Sequence, residues 1–297
     1  MFDFRLKVFD TVAKRLSFTK AATELNITQP AVSKHIKEIE QNLNTRLFNR
    51  NGTKISLSTS GEILLKYTEK LFCIYRELDF EINQHNQKQK GTIRIGASTT
   101  IAQYVLPPLL AEFHKQFEEI QVLLTIRNTE AIEDLLQHQK IDLGLIEGQS
   151  KNKLFHYIPF IKDEIVLAAR VEHPLANKNA LEIKDLKEIP LLLREPGSGT
   201  LENIAFALKP HGVKLTDLHT EMQIGNTESI KSYLFYSDCM AFLSIHSILQ
   251  ELKNKTLTVI DLKDVTIERL FYFIQPQGGK SAMADLFKKF AIGYNFK

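Results

Sequence analysis

Three short segments rich in hydroxyl groups contain the residue types that bind small anions. Ser98-Thr99-Thr100 follows a strand-like run and opens a helical one, the sequence REPGSGT (194–200) has the same position further along, and Asn226-Thr227 precedes the next helical run. Hydroxyls and free N–H groups at a helix N-terminus attract anions, and glycines let a backbone approach a ligand closely. Each segment alone is explained more simply by N-capping, so a binding site requires that they meet in one cleft. The predicted ligand-binding residues are Ser98, Thr99, Thr100, Glu147, Arg194, Ser198, Gly199, Thr200, Asn226 and Thr227.

A second group of polar residues, near the N-terminus, has the types that contact DNA. Gln29, Ser33, Lys34 and Lys37 are spaced to share the outer face of one helix. Glutamine can bond an adenine edge at two points, and lysines suit phosphates. The following segment, LFNRNGTKI (47–55), has an Asn-Gly turn between apolar residues, which predicts a basic hairpin along the DNA backbone. The predicted DNA-binding residues are Ser17, Thr19, Thr28, Gln29, Pro30, Ser33, Lys34, Lys37, Arg50, Asn51 and Lys54.

The charge distribution supports a polyanion partner at the N-terminus. The whole chain of 297 residues carries 38 basic and 35 acidic side chains, a net charge of +3. Residues 1–60 hold ten of the basic and five of the acidic side chains, a surplus of five, which leaves 28 basic and 30 acidic on the other 237. A basic piece on a faintly acidic body is typical of a nucleic-acid-binding module joined to something else. A surplus of five charges alone is also compatible with a solvated surface.

Three short helices position the N-terminal polar residues. Helical spacing predicts a first helix over residues 4–15, Ser17 caps a second over 18–25, and Thr28, with Pro30 in the first turn, begins a third that ends near residue 42. Asn26 suits a left-handed turn residue. Small Ala21 and Ala22 let the helices cross closely, which predicts a helix-turn-helix. The alternative is a plain helical bundle with solvated polar residues.

A long helix without internal proline follows, from Ser60 to about Gln87. Its apolar residues are spaced 3-4-3-4, which is the seam of a coiled coil, and the pattern fades at Glu81 and His85. Packing onto the protein's own body is the alternative, but the length and the polar run that follows favour pairing with a second chain. Cys73 lies off this seam. The predicted dimerisation residues are Leu64, Tyr67, Leu71, Ile74 and Leu78.

Strand and helix patterns alternate beyond residue 91, which predicts parallel-rich sheets with helices on their faces. The length permits two lobes, with a crossover at about Phe160–Glu164 and a return after about Asp264. The strand-like runs are Thr92–Gly96, Gln121–Ile126, Leu143–Ile146, Phe155–Ile161, Glu164–Ala169, Leu191–Leu193, Thr220–Ile224, Met240–Ile245, Leu257–Ile260 and Arg269–Ile274. The helical runs are Ile101–Phe117, Ala131–His138, Leu201–Leu208, Glu228–Tyr236 and Ala282–Phe290.

Several chemistries have no support in the sequence. No phosphate-binding glycine motif follows a strand, the nine histidines show no metal-ligand spacing, and Ser198 lacks the GxSxG context of a nucleophile. We therefore expect no catalytic residue, no metal and no cofactor. The chain shows no signal core or membrane-spanning stretch, and its two cysteines are far apart, which together predict a cytoplasmic protein without membrane contact.

The N-terminal residues resemble a known family. FDTVAKRLSFTKAATELNITQPAVSKHIKEIEQNLNTRLFNR, followed by LSTSGE, is similar to the signature of LysR-type transcriptional regulators. Asn44 stands where that family usually has glycine, and asparagine can adopt the same left-handed conformation. GTIRIGASTTIAQYVLPPLLAEFHKQF resembles the start of the family's effector domain, although Phe117-Glu118-Glu119 lacks a usual proline. REPGSGT is similar to members that regulate sulfur assimilation or carbon fixation.

The resemblance implies an α/β protein with an N-terminal winged helix-turn-helix, a long linker helix and a two-lobed effector domain built like a periplasmic binding protein. The expected domains are 1–58 for DNA binding, 59–90 for the linker and 91–297 for the effector. In the last, lobe I is 91–162 with 265–297, and lobe II is 163–264.

The expected function is a DNA-binding transcriptional regulator controlled by a small anion or phosphorylated metabolite in the cleft between the lobes. Its partners would be double-stranded DNA, that small-molecule effector, a second copy of the chain in a homodimer or dimer of dimers, and RNA polymerase indirectly. The alternatives are a small-molecule binding protein without regulatory DNA binding, and an enzyme that uses the cleft.

Overall fold

The computed structural model describes residues 3–51, 54–86, 88–149, 151–178, 180–279 and 281–296, without the side chains of residues 50, 51 and 54. The chain divides into two compact units at residues 87 and 88. Each unit has its own apolar core. Within the described residues, no helix combines the length and apolar character that crossing a membrane requires.

The first unit contains four helices and a two-stranded antiparallel hairpin. The helices are α1 (Phe4–Arg15), α2 (Phe18–Leu25), α3 (Gln29–Asn42) and α4 (Thr59–His85), and the strands are β1 (Phe48–Asn51) and β2 (Lys54–Leu57). The hairpin pairs Phe48 with Leu57. The predicted turn at Gly52 lies outside the described residues.

Local side-chain bonds set these helix boundaries. The Ser17 hydroxyl accepts the Lys20 N–H, and the Thr28 hydroxyl accepts the Ala31 N–H, both at 3.3 Å, so each satisfies a free donor in a first helical turn. Asn26 ends α2 with a left-handed φ of 53°. Asn44 has φ 48°, which confirms that asparagine adopts the left-handed conformation there.

The core of the first unit joins α1, α2, α3 and the hairpin. Phe9, Phe18, Ala21, Ile36 and Phe48 are buried in it. Ala21 and Ala22 lie on the buried face of α2, where small side chains let neighbouring helices approach closely. The first part of α4 also packs on this core through Leu64 and Leu65.

The second unit is built on one nine-stranded mixed sheet with helices around it. Its strands are β3 (Gly91–Ser98), β4 (Ile120–Arg127), β5 (Leu143–Glu147), β6 (Phe155–Arg170), β7 (Leu191–Leu193), β8 (Thr220–Gln223), β9 (Met240–Ser244), β10 (Leu257–Ile260) and β11 (Ile267–Pro276). Its α-helices are α5 (Leu106–Gln116), α6 (Thr129–Gln137), α7 (Gly199–Leu208), α8 (Thr227–Leu234), α9 (Ile245–Lys253) and α10 (Ala282–Gly293).

Two long strands connect the halves of this sheet. The order is β4-β3-β5-β11-β6-β9-β7-β8, with β10 also paired to β6. β3 runs parallel to β4 and β5 on one side, and β7 runs parallel to β8 and β9 on the other. β6 and β11 run antiparallel along their whole shared length, from Ile267 opposite Ile165 to Pro276 opposite Phe155. β5 pairs with β11 and β9 pairs with β6, so the two long strands join the parallel strands of one half to those of the other.

The structure corrects the prediction of two separate strands at Phe155–Ile161 and Glu164–Ala169. Both are parts of β6, which continues through Lys162 and Asp163. Lys162 and Asp163 favoured a break between two strands, because a buried charge without a partner is costly. Asp163 has its partner inside the sheet, because Arg269 on β11 donates Nε to it at 2.6 Å.

Two further differences from the prediction concern helices, whereas most other boundaries shift by one or two residues. The strand predicted to reach Ile245 ends at Ser244, and α9, which was not predicted, begins at Ile245 and buries Ile248. The helix predicted over Ile101–Phe117 is a π-helical turn over Ile101–Val105 followed by α5. A proline in the first turn of α5 explains that change, because proline has no N–H to continue the preceding ladder.

Candidate functional site

The outer face of α3 and the start of α2 form a polar surface on the first unit. Gln29, Lys34, Lys37 and Thr19 are exposed, and the Gln29 side-chain amide donates to the Ser33 hydroxyl at 3.0 Å. Arg15, by contrast, is bound to Glu24 at 2.6 Å. α3 therefore presents a held glutamine and two exposed ammonium groups on one side. The predicted contacts of Arg50, Asn51 and Lys54 depend on side chains outside the described part of the chain.

Three residues predicted to contact DNA also have a structural role at the start of a helix. Ser17 and Thr28 use their hydroxyls to begin α2 and α3, and Pro30 lies in the first turn of α3. Their structural role is to begin the two helices, because each cap satisfies a free N–H group in the first turn. Backbone N–H groups at such termini bind phosphate oxygens.

An apolar stripe along α4 is exposed, with one difference from the predicted seam. Tyr67 and Ile74 are each 58% exposed, and Leu71 and Leu78 are also exposed, whereas Leu64 packs on the core of its own unit. The exposed face begins instead at Ile63, which is 55% exposed, and continues to Ile82. Leu64 is therefore partly covered by its own unit, whereas the other four predicted seam residues keep their spacing on the exposed face. The role of all five in dimerisation stays a prediction.

In the second unit, Arg194 brings two of the predicted hydroxyl segments together. Its guanidinium is buried, and its two terminal nitrogens lie 3.5 Å from the Thr227 hydroxyl and 3.5 Å from the Thr99 hydroxyl. Thr99 follows β3 and Thr227 begins α8, so the arginine connects the two halves of the sheet. Its Nε is bound to Glu195 at 2.8 Å. Thr100 is buried beside Thr99, and Asn226 caps α8 by accepting the Ser229 N–H at 3.1 Å.

A second buried arginine, Arg269, organises the other predicted residues on the crossing strands. It donates to Asp163 at 2.6 Å and to the Thr200 hydroxyl at 2.9 Å, and it lies 3.6 Å from Glu147. The Ser98 hydroxyl donates to the same Glu147 carboxylate. One Nη atom of Arg269 is buried without a hydrogen-bond partner among the described groups. This network therefore joins the ends of β3 and β5 to the start of α7.

Gly199 is required where α7 meets β5. A Cβ at this position would overlap the backbone carbonyl of Glu147. The Thr129 hydroxyl donates to that same carbonyl at 2.8 Å. The Asn203 side chain accepts a hydrogen bond from Gln149 and donates one to the Gly199 carbonyl. The helix starts of α6 and α7 are therefore held against the end of β5.

A third contact between the halves lies beside Thr227. The Tyr104 hydroxyl donates to Glu228, and the Lys231 ammonium lies 5.1 Å from the centre of the Tyr104 ring. Lys231 also binds Glu228 at 2.9 Å and Glu251 at 2.8 Å. Burial opposes ionisation of Glu228, but the bonds from Lys231 and Tyr104 outweigh it and lower the pKa of that carboxyl. Burial and the bond to Glu228 raise the pKa of Tyr104.

Two known sequence families match this chain over nearly its whole length. Residues 4–62 match the bacterial regulatory helix-turn-helix protein of the lysR family, and residues 86–293 match the LysR substrate binding domain. The HTH-type transcriptional regulator CysL of Bacillus subtilis (strain 168) is 32% identical over 269 residues, which cover 91% of this chain and 89% of CysL. The chain belongs to the LysR family. It is a LysR-type DNA-binding transcriptional regulator with an effector-binding domain.

Other LysR relatives and structures agree with this assignment. The probable RuBisCO transcriptional regulator of Cyanidium caldarium is 29% identical, and the match covers 91% of this chain and 86% of the relative. The regulatory domain of Synechocystis PCC6803 CcmR, solved in complex with 2-PG, is 28% identical with a TM-score of 0.62 and covers 68% of this chain and 95% of that domain. Full-length CbnR, solved with its target DNA, has the same fold, with a TM-score of 0.70 at 15% identity and coverage of 98% and 99%.

The fold predicted for this LysR protein is confirmed, a helix-turn-helix joined to an α/β effector domain. The likeness to periplasmic binding proteins concerns the fold alone. The residues predicted for the effector separate into an Arg194 group with Thr99 and Thr227, and an Arg269 group with Ser98, Glu147 and Thr200. Ser198 belongs to neither group by its hydrogen bonds.

Sequence reasoning missed several residues of these groups. Arg269, Asp163 and Tyr104 carry no motif and come from segments far apart in the chain. Thr129 could have been predicted from the sequence, because it follows a strand-like run and places a hydroxyl at the start of a helix. In the described ranges of the chain, no cluster of three or more His, Cys, Asp or Glu side chains is arranged to hold a metal ion.

Proposed function

We propose that this regulator binds a small oxyanion or phosphorylated metabolite beside Arg194. The observation that carries the proposal is the position of the guanidinium, whose terminal N–H groups face Thr99 and Thr227 at 3.5 Å, the upper limit of a hydrogen bond. Glu195 holds the guanidinium through Nε at 2.8 Å and Nη2 at 3.1 Å, so it is the N–H groups toward the two threonines that are weakly engaged. A ligand oxygen can replace these hydroxyls at little cost. Thr99, Thr100 and Thr227 supply further donors at helix starts from both halves of the sheet.

Relatives support an anion of this kind. The CcmR regulatory domain binds 2-PG, 2-phosphoglycolate, and is 28% identical to this chain. A phosphate and a carboxylate both accept several hydrogen bonds, which suits a site with one arginine and three hydroxyl side chains. Glu195 and Glu147 reduce the positive charge nearby, so recognition depends on placed donors more than on net charge.

The proposed DNA contacts follow from the surface of α3. Gln29, Ser33 and Lys34 enter the major groove, with Lys37, Arg50 and Lys54 on phosphates, and Ser17, Thr19, Thr28, Pro30 and Asn51 along the rim. Two such surfaces read the two half-sites of an operator. The exposed stripe of α4 pairs two chains, in a dimer or in a dimer of dimers, and RNA polymerase is affected indirectly.

Effector binding then controls transcription through the shape of the effector domain. We take 1–58, 59–90 and 91–297 as the functional domains, with lobe I at 91–162 and 265–297 and lobe II at 163–264. A ligand held by Thr99 and Thr227 together favours the closed arrangement of the two lobes. Only a difference in its affinity for the two arrangements is needed, on the order of 1–3 kcal/mol.

No catalytic step is proposed for the cleft, because the family consists of transcriptional regulators. A regulator of this kind acts on chromosomal DNA, which favours a cytoplasmic location.

Titration of the purified full-length chain tests the effector proposal. We expect 2-phosphoglycolate, a sugar phosphate, sulfate or sulfite to raise the unfolding midpoint in a concentration-dependent way, because a ligand that binds only the folded state stabilises it. Arg194→Ala should remove the shift. Arg170→Ala is the matched control, since Arg170 binds Asp238 at 2.7 Å away from the cleft residues. The absence of a shift with all four anions would count against an oxyanion effector.

A further inference from the structure

A second pocket of about 400 Å³ lies beside the starts of α6 and α7. Its walls include Glu130, Glu133, Ser198, Leu201, Glu202 and Leu215. Arg194 and Arg269 do not line it, although it adjoins the Arg269 group through Thr129, which lines the pocket and donates to the Glu147 carbonyl at 2.8 Å.

The pocket is negatively charged. Three of its wall residues are glutamates, and none of the described residues that line it is basic. Glu133 is half-buried, and burial raises the pKa of its carboxyl, with a further increase from the nearby charges of Glu202 and Glu130, although the Tyr157 hydroxyl donates to it at 2.9 Å. Such a pocket repels the oxyanions that suit Arg194 and attracts cations.

Helix stability explains part of this arrangement but not all of it. Glu130 and Glu202 lie in the first turns of α6 and α7, where carboxylates favour the helix dipole. Glu133 lies one turn further along α6 and has no such role. Gly197 has φ 81°, and a Cβ there would lie 2.5 Å from a carboxylate oxygen of Glu130, so the loop before α7 fits closely around that carboxylate.

Ser198 supplies the independent observation. Its side chain is 3% exposed and lines the pocket, and its hydroxyl oxygen is buried without a hydrogen-bond partner among the described groups. Buried polar groups in folded proteins nearly always have partners. The hydroxyl therefore has capacity for a ligand that donates a hydrogen bond.

We propose that this pocket binds a small organic cation, a protonated amine. Its ammonium group lies between Glu130 and Glu133 and donates to Ser198, and its apolar part lies against Leu201 and Leu215. A bare metal ion fits less well, because the described carboxylates form no group arranged to hold one and because two leucines form part of the wall. The proposed cation site is additional to the proposed anion site. The two sites adjoin at the start of α7, where Ser198 precedes Thr200.

The test uses the full-length protein, n-butylammonium chloride as the probe and isothermal titration calorimetry as the measurement. n-Butanol and sodium butyrate are the neutral and anionic probes of the same size. We expect n-butylammonium to bind and the other two not to bind. Glu133→Gln and Glu130→Gln should each weaken binding by about tenfold or more, since each removes a charged hydrogen-bond acceptor. Ser198→Ala should weaken it to a smaller extent.

Glu118→Gln is the matched control, because Glu118 is an exposed carboxylate outside the pocket and its variant should bind as the parent does. Unfolding midpoints of the free variants show whether each is folded. The response to 2-phosphoglycolate should persist in Glu133→Gln, which separates a failure of this proposal from a failure of the anion proposal.

Three results would overturn the proposal. Equal binding of n-butanol would show an apolar pocket without charge recognition. Binding of n-butylammonium that is unchanged in both glutamine variants, or absent altogether, would exclude the site. Competitive displacement of n-butylammonium by MgCl2, with magnesium binding lost in Glu133→Gln, would show a metal site.

The pH dependence is an additional readout. The groups that face Glu133 are Tyr157, Glu130 and Glu202, with Lys151 lying 5.9 Å from the centre of the Tyr157 ring. Because the Glu133 pKa is raised, its charge is lost at a higher pH than that of an ordinary glutamate. Binding of n-butylammonium should therefore weaken as the pH falls through this raised pKa, and the corresponding part of the pH dependence should vanish in Glu133→Gln.

Discussion

Buried arginines have two different tasks in the effector domain, and their partners distinguish them. Arg194 is paired with one carboxylate, Glu195, and otherwise meets two hydroxyls at the limit of a hydrogen bond. Arg269 is enclosed by Asp163, Glu147 and Thr200. In Arg194, Glu195 fixes one side of the guanidinium and leaves the N–H groups toward Thr99 and Thr227 open to a ligand. In Arg269, two carboxylates and a hydroxyl from different elements surround the guanidinium, so it holds those elements together. We therefore assign ligand recognition to Arg194 and support of the crossing strands to Arg269.

Loss of Arg269 should cost stability more than ligand affinity. Arg269→Met leaves Asp163 and Glu147 buried without their cation, and removing one partner of a buried pair destabilises by about 3–5 kcal/mol. Urea unfolding measures the free energy of the variant. Arg170→Met is the control, because its pair with Asp238 is partly exposed and worth about 1 kcal/mol or less. Equal losses in the two variants would show that the buried network gives no special support.

On the first unit, Gln29 and Lys37 should affect DNA binding differently. Gln29→Ala should relax the preference at one base pair, because a glutamine at the proposed position can bond a base edge at two points. Lys37→Ala should weaken binding to all sequences about equally and reduce the salt slope by about one. Fluorescence anisotropy on an operator from upstream of this gene, with single base changes and several salt concentrations, separates the two effects. Lys187 is an exposed charge on the second unit, and Lys187→Ala should change neither the sequence preference nor the salt slope. If Gln29→Ala leaves the sequence preference intact, the proposal that α3 enters the major groove is wrong.

At the level of elements, the connection between α3 and the hairpin depends on one left-handed residue. Asn44 has φ 48° and is exposed, so its conformation and not its packing decides its effect. Asn44→Gly should change the unfolding free energy little, whereas Asn44→Val should cost about 1–2 kcal/mol, because a β-branched residue is strained at positive φ. Thermal unfolding of the isolated variants measures this. A valine variant as stable as the glycine variant would contradict the assignment of strain to this position.

The stripe on α4 gives a prediction about assembly. Ile74→Glu combined with Leu78→Glu places charges on the proposed pairing face of α4 and should convert the proposed dimer into monomers. Sedimentation velocity measures the change. Lys66→Glu also alters the charge of an exposed position on α4 but lies off the stripe, and it should leave the dimer intact. A dimer that survives the double substitution would place the pairing surface elsewhere.

Elements were predictable where their signals are local. Ser17, Thr28 and Asn26 mark the ends of α2 and α3 within the sequence itself, because a cap bonds to a backbone group only two or three residues away. The continuity of β6 was not predictable, since Asp163 finds Arg269 at a distance of 106 residues along the chain. Where the exposed stripe of α4 starts also depends on tertiary contacts, because the core of the first unit partly covers Leu64 and leaves Ile63 exposed.

The candidate effector site shows the same division. Ser98, Thr99 and Thr227 could be predicted because polar residues that follow strands or begin helices collect at one edge of an α/β sheet. Their separation into two arginine groups could not, because it depends on which guanidinium each hydroxyl meets after folding. Ser198 illustrates the limit, since its neighbour Thr200 bonds to Arg269 while Ser198 itself lines the acidic pocket.

At the scale of the whole molecule, regulation requires that effector binding and DNA binding change each other by one common factor. If an anion at Arg194 alters operator affinity, the operator must alter anion affinity equally, because both paths lead to the same complex. We expect a factor of about 5–150 in either direction. Calorimetry of 2-phosphoglycolate, or of whichever anion binds, with and without saturating operator gives one value, and DNA anisotropy with and without that anion gives the other. In Arg194→Ala, the ratio of DNA affinities with and without the anion should be one. The DNA affinity without the anion should be the same as in the unmodified protein. If the anion changes the DNA affinity of the unmodified protein by a factor of one, control does not act through DNA affinity. Control would then act through the bend of the bound DNA. The gel mobility of circularly permuted operators measures that bend.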